Sequence, residues 1–192
     1  MQISRWDLLK DMPGAVRVLG AVAKRRAQLV GLVVGPAAQS DAEKAELEAA
    51  LAARAGLGRA ARSRLYIGVI EGSGSAAHDL AVRALQARAD VVLQKSRQEG
   101  FGLTVTEAMF RGKPVVAARV GGIPLQLEDG CNGVTLPPQA SDDQWAEAVG
   151  DLIDDDTWRL RLGEQARADV LERRIVDRQL NALICGLAPL VT

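Results

Sequence analysis

The chain has few of the residues that build metal centres or disulfide scaffolds. It contains two cysteines, Cys131 and Cys185, far apart and outside any C-x-x-C pair, and a single histidine, His78. That inventory disfavours both a disulfide framework and a zinc site. Net charge is also missing, because 24 basic and 24 acidic residues cancel. No global field therefore draws the chain to nucleic acid or to an anionic membrane surface. No apolar run approaches the roughly 20 residues that a membrane span needs, and the N-terminus lacks the charged-then-apolar pattern of a secretion signal. The expected location is cytoplasmic. The sequence shows no internal repeat, no low-complexity linker and no second domain boundary.

What remains is the composition of an ordinary α/β core. Hydrophobic residues make up 48% of the 192 positions, enough for a single domain to bury a sizeable interior. Apolar runs at 1–4 (MQIS), 28–34 (QLVGLVV), 64–70 (RLYIGVI), 90–94 (DVVLQ), 113–118 (KPVVAA) and 133–137 (GVTLP) are strand candidates. Their continuous apolar character suits strands covered on both faces. Between them lie helical patterns at 14–26, which is basic at its end where a helix dipole favours cations, and at 76–89, which is amphipathic. Ser40 with Glu43, and Ser141 with Gln144, have the spacing of capping boxes. After residue 141 the pattern is wholly helical, and the aspartates at 154–156 read as caps between helices.

Such alternation predicts right-handed βαβ units, hence a Rossmann-like doubly wound parallel sheet with helices on both faces. Residues 1–170 are expected to form that domain and 171–192 a C-terminal helical tail. The closing segment at 167–187 would pack on this domain or on an absent one, and an apolar face left open there would bring two copies together as a homodimer. A first strand that opens almost at residue 1 is the expectation for a piece cut from a larger chain.

In open α/β sheets, ligands bind beyond the carboxyl ends of the strands. Three loops rich in chemistry share that edge. SRWDLLK at 4–10 leaves the first strand with Arg5 and Lys10, QKSRQEGFGLTVTEA leaves the fourth and enters a helix, and AARVGGIP leaves the fifth. Gly100 and Gly102 free the backbone around Phe101 to approach a ligand closely. The helix expected from Leu103 to Arg111, stopped by Gly112, aims unpaired N–H groups and a partial positive charge at that turn. Such a site favours a phosphate, and Arg5 and Lys10 add cations suited to a diphosphate. Glu99 and Glu107, acceptors only when ionised, suit the vicinal hydroxyls of a sugar or ribose. Each feature alone has a plainer meaning. Thr104 and Glu107 also have capping-box spacing, Glu99 alone is a solvated loop residue, and Arg5 and Lys10 alone are surface charge. His78, in a helical pattern, reads as structural or surface, and Lys95, Ser96 and Arg97 carry no assigned chemistry.

Taken together, EGFGLTVTEA resembles the E-x7-E signature of the retaining GT-B glycosyltransferases of family 4. SRWDLLK is similar to that family's strand-loop segment with an Arg and, five residues on, a Lys, while KPVVAARVGGIP and DGCNGVTLPP match its next segments in order. The stretch from ALQARADVVLQKS to GGIPLQLEDG is closer still to the trehalose synthases that transfer glucose from a nucleotide donor, and to the related retaining trehalose phosphorylases. The likeness covers only the C-terminal half of such an enzyme. It implies one half of a GT-B fold, facing across a cleft an N-terminal Rossmann-like domain, supplied in cis or in trans, that carries the acceptor pocket.

The resemblance also implies roles. Arg5 and Lys10 would hold the diphosphate and stabilise the departing charge, and Glu99 would take donor-sugar hydroxyls. Backbone amides of Gly100, Phe101, Gly102, Leu103 and Thr104 would approach sugar and phosphate, Glu107 would bind the ribose, and the base would lie near Val69 and Ile70. The implied donor is ADP-, UDP- or GDP-glucose and the acceptor a sugar, with no cofactor and no metal. GGIPLQ replaces the family's usual GGxPE, so that glutamate's role is not carried over. Three expectations follow: a hexosyltransferase, a phosphorylase taking phosphate or glucose 1-phosphate at Arg5 and Lys10, or an inactive nucleotide-binding module that needs another polypeptide.

Overall fold

The computed structural model describes residues 1–173. Its strands are β1 (Gln2–Ile3), β2 (Gly31–Pro36), β3 (Leu65–Ile70), β4 (Val92–Gln94), β5 (Val115–Ala118) and β6 (Val134–Leu136). The helices are α1 (Met12–Arg25), α2 (Asp41–Ala55), α3 (Arg59–Arg62), α4 (Ala76–Arg88), α5 (Leu103–Phe110), α6 (Asp142–Asp154) and α7 (Asp156–Arg173). All strand pairs are parallel and fall into two three-stranded sheets, β1-β2-β3 and β4-β5-β6. The two adjoin at β1 and β4, where the Leu93 N–H donates to the Met1 carbonyl at 2.7 Å. Across the molecule the order is therefore 3-2-1-4-5-6, the doubly wound arrangement expected, with its topological switch point between β1 and β4.

Continuous apolar strands have a direct structural use here. Side chains alternate across a strand, so a strand covered on both faces needs apolar residues at every position. In β4, Val92 belongs to one core and Leu93 to the other; in β5, Val115 and Ala117 join the first and Val116 and Ala118 the second. One face is covered by α1, packed against α2 and α6, and the other by α5 and α7. Trp6, Leu19 and Leu152 fill the core that Leu93 joins, and Val105, Met109 and Val170 the core that Val92 joins.

Two of the three candidate capping boxes form. Ser40 with Glu43 and Ser141 with Gln144 each exchange both reciprocal hydrogen bonds. Asp155 caps the following helix, its carboxylate accepting from the Trp158 N–H at 2.8 Å. The Thr104–Glu107 spacing does not make a cap. Helix α5 begins at Gly102, whose φ of 85° is left-handed, and no side chain caps it. Thr104 is already inside the first turn, so local spacing misidentified the start.

The expected boundary at 170/171 falls within α7, which continues to Arg173. The remainder of the 167–187 segment, and Cys185, lie outside the described residues. Cys131 is exposed and free. Among the described residues no helix is long and apolar enough to cross a membrane.

Helices α5 and α7 meet through a glycine contact. A β-carbon at Gly163 would stand 2.2 Å from the Gly112 carbonyl oxygen, a backbone atom at the turn that ends α5. Gly163→Ala is expected to destabilise the chain by about 2 kcal/mol, the scale of overpacking a tight interior. Urea unfolding measures this, and an unchanged midpoint would refute the close approach.

Candidate functional site

The site grows from the ends of β1 and β4. Gln2 is fully buried, and its side chain continues the seam where the backbone ladder stops. Its Oε1 accepts from the Lys95 N–H at 3.0 Å, and its Nε2 donates to the Lys10 carbonyl at 2.8 Å. The loop after β1 is thereby tied to the loop after β4.

Two ion pairs cross the same seam in opposite senses. Lys10 Nζ lies 2.6 and 2.7 Å from the two Glu99 oxygens, and both side chains are largely buried. Lys95 Nζ lies 2.5 Å from Asp11 Oδ2 and 3.3 Å from Asp142, with the Trp145 ring beneath it. Arg97 adds a second contact to Asp11 at 3.2 Å. Asp11 is the one non-glycine with positive φ (44°) among the described residues, a strained conformation retained because Lys95 and Arg97 hold its buried carboxylate. Burial alone pushes that carboxyl up, but Lys95 and Arg97 together hold it below its ordinary value of 3.8.

Glu99 is prepared as an acceptor. Besides Lys10, its Oε2 accepts from Gln94 Nε2 at 3.1 Å and from Ser96 Oγ at 3.2 Å, while Oε1 has Lys10 alone. Gln94 also accepts from Thr104 Oγ1 at 3.0 Å, joining the acid to the first turn of α5. With glycine at the cap, no side chain competes for the N–H groups of that turn.

The GFG turn is clamped from the other side. The Gly122 N–H donates to the Gly100 carbonyl at 2.7 Å. A β-carbon at Gly121, where φ is 54°, would sit 1.6 Å from the Glu99 carbonyl oxygen. Only glycine permits both the dihedral and the approach. Gln126 closes the clamp: its Nε2 donates to the Phe101 carbonyl, and its Oε1 accepts from Thr106 Oγ1 at 2.5 Å. Sequence reasoning passed over Gln94 and Gln126 and assigned Ser96 no chemistry. Gln94 left one signal, a polar residue closing an apolar strand run.

Beside this clamp an open cleft of about 850 Å³ runs between β1, α4 and α5. Arg5, Leu103, Thr104 and Glu107 line it. Arg5 is solvent-exposed and touches Asp7 at 3.4 Å, so it and Lys10 stand in quite different surroundings. Glu107 is exposed, its Oε2 accepting from Gln86 Nε2 at 3.1 Å. Phe101 is exposed at the turn. Val69 and Ile70 end β3 beside Gly35 and Pro36 in register; Pro36 lines the cleft, and they are not among its lining residues. His78, read as structural or surface, does line it. Among the described residues, no three His, Cys, Asp or Glu side chains gather in a way that could hold a metal ion.

Since the folded-state pKa of Asp11 is depressed, its stabilising contribution is present above pH 4 or so and is lost as pH falls through the folded value. Asp11→Asn is expected to lower stability at pH 7 by about 3 kcal/mol, because Lys95 loses one buried partner and keeps Asp142. The gap should narrow below about pH 4. Denaturant melts from pH 3 to 8 check it, and a gap independent of pH would exclude the ion pair as its source.

Comparison with known proteins agrees with this geometry. Residues 72–169 match the family described as Glycosyl transferases group 1. A trehalose synthase of Rubrobacter xylanophilus is 33% identical over 97% of this chain and 44% of its own length. The structure of Anabaena HepE in complex with UDP-glucose superposes with a TM-score of 0.77 at 26% identity, covering 96% of this chain and 47% of that one. A C-terminal domain of a glycosyl transferase group 1 protein, LpcC of Francisella tularensis, shares the fold alone, with a TM-score of 0.73 at 21% identity over 92% of this chain and 84% of that one. The chain thus spans under half the length of the trehalose synthase it matches. The match over residues 72–169 places the chain in the glycosyl transferases group 1 family, and its two-sided parallel sheet has the fold of a GT-B C-terminal domain.

Proposed function

We propose that the chain is the donor-binding half of a retaining hexosyltransferase of trehalose-synthase type. It would take glucose from ADP-, UDP- or GDP-glucose for transfer to a sugar acceptor in the cytoplasm, with an N-terminal Rossmann-like domain completing the cleft. The observation that carries this reading is the convergence at the switch point: Arg5, the Lys10–Glu99 pair and the uncapped first turn of α5 share one edge of the sheet. The UDP-glucose bound by HepE is consistent with it.

In this reading Lys10 and Glu99 act as a coupled pair. A diphosphate arriving at Lys10 replaces the carboxylate as its counter-ion, and Glu99, still fixed by Gln94 and Ser96, turns its freed oxygen lone pairs to the donor-sugar hydroxyls. Arg5 meets the outer phosphate, and amides from Gly100 to Thr104 approach sugar and phosphate. The fixed cations and the α5 N-terminus stabilise the charge that develops on the leaving diphosphate, with no metal in the scheme. Glu107 binds the ribose, and the base lies toward Val69 and Ile70. Transfer by the 192-residue chain alone should be weak, because the acceptor is not positioned and proximity supplies several kcal/mol of barrier reduction.

Calorimetry of the chain with ADP, UDP, GDP, glucose 1-phosphate and inorganic phosphate tests the reading. Binding of a nucleoside diphosphate supports it, binding only of phosphate and glucose 1-phosphate favours a phosphorylase, and no binding at all defeats both. Arg5→Ala should weaken the nucleotide about tenfold or more, as for a hydrogen bond to a charged group, while leaving stability within about 0.5 kcal/mol because the side chain is exposed. Glu107→Gln should weaken the nucleotide without changing the melting temperature, whereas a loss of stability at constant affinity would return Glu107 to a structural role.

A further inference from the structure

Among the described residues, three buried side-chain polar atoms have no hydrogen-bond partner: Ser4 Oγ, His78 Nδ1 and Gln86 Oε1. Two of the three line one cleft, and the third stands directly behind it. Ser4 and His78 line it, and Gln86 holds Glu107, which also lines it. An unpaired buried polar atom is costly, and native proteins keep few of them. Two such atoms on the wall of one cavity, with a third on the residue that holds its carboxylate, are the mark of groups kept for a ligand.

Three neighbouring polar side chains differ. Thr104 is committed to Gln94, Thr106 to Gln126, and Arg111 to the Glu107 carbonyl. A ligand taking those would break a bond to gain one. Ser4 and His78 have nothing to lose. Rotation about χ1 brings the Ser4 hydroxyl round, and a ring flip exchanges Nδ1 with a carbon on His78, so each can turn to a bound molecule.

Gln86 works differently. It is the only buried residue of α4, 1% exposed, on a helix whose Leu80 is 68% exposed. An apolar residue there would satisfy packing without an orphaned carbonyl. The amide orientation follows from chemistry, since Nε2 must face the Glu107 carboxylate and Oε1 is left unpaired.

We propose that Ser4 and His78 are contact residues for the nucleoside of the donor, and that Gln86 is a positioning residue that sets the Glu107 carboxylate toward the ribose diol. This rests on the donor reading above and specifies one wall of its site. Serine and imidazole each offer a donor or an acceptor, Glu107 offers acceptors, and Arg5 stands beside Ser4 where the phosphates leave the nucleoside.

The test is calorimetry and thermal melting of the 192-residue chain with ADP, UDP and GDP, the 2′-deoxy form of whichever binds, and inorganic pyrophosphate. Ser4→Ala and His78→Ala should each weaken the nucleoside diphosphate about three- to tenfold, the range of a single hydrogen bond, and leave pyrophosphate affinity unchanged. Ser4→Ala should also keep or raise the melting temperature, because it deletes an orphaned hydroxyl. Gln86→Met should reduce the preference for the ribo over the 2′-deoxy nucleotide, which a packing role would leave alone. If the wild-type chain binds no nucleotide, the donor reading falls and this wall with it. If it binds and the variants match it within twofold, or if Ser4→Ala loses stability without losing affinity, the assignment is overturned and the donor reading stands.

Discussion

The short junction between β1 and β4 is the constraint on which the site depends. β1 has two residues and β4 three, so little backbone ladder is available where the two halves of the sheet meet. Side chains take over. Gln2 uses both ends of its amide, and the ion pairs run in reciprocal senses, a cation of the β1 loop with an acid of the β4 loop and the reverse. Buried polar groups are tolerated only when paired, so the register of the two loops is set as strictly as a strand register would set it. The position where a doubly wound sheet leaves an opening is also the position that these charges fasten.

A fastened seam also fixes the loops at this edge of the sheet. Glu99 is bound on one side by Lys10 and on the other by Gln94 and Ser96, and Gln94 is itself joined to α5 through Thr104. The GFG turn cannot drift, because Gly121 and Gly122 press on its backbone and Gln126 holds its carbonyl. These contacts hold Glu99 and the GFG turn in one arrangement, as the electrostatic stabilisation proposed above requires. The α4 side is organised in the opposite way. That helix buries one residue, and its His78 and Gln86, with Ser4 of the β1 loop, each keep a side-chain polar atom unpaired.

Much of this was legible because the signals are local. Uninterrupted apolar runs declared strands covered on both faces, serines followed three residues later by Glu43 and Gln144 declared two helix starts, and the GFG turn declared a third. The Thr104–Glu107 spacing looked equally local and misled, since the left-handed Gly102 starts the helix before it. Gln2, Gln94 and Gln126 were invisible for another reason. An uncharged amide in an apolar run has no motif, and its partners lie up to 93 residues away.

By itself, then, the sequence determined the period of its strands and helices, the glycines that let a turn approach a helix start, and which side chains at the strand exits can carry charge. Those properties depend on neighbours within a few residues. Tertiary structure alone decided that Lys10 meets Glu99 while Arg5 stays in solvent, that Asp11 is locked by Lys95 and Arg97, and that Ser4, His78 and the Glu107 held by Gln86 share one cleft. Pairing and burial are properties of distance in space, and the crossover order of a doubly wound sheet is what brings the ends of β1 and β4 together.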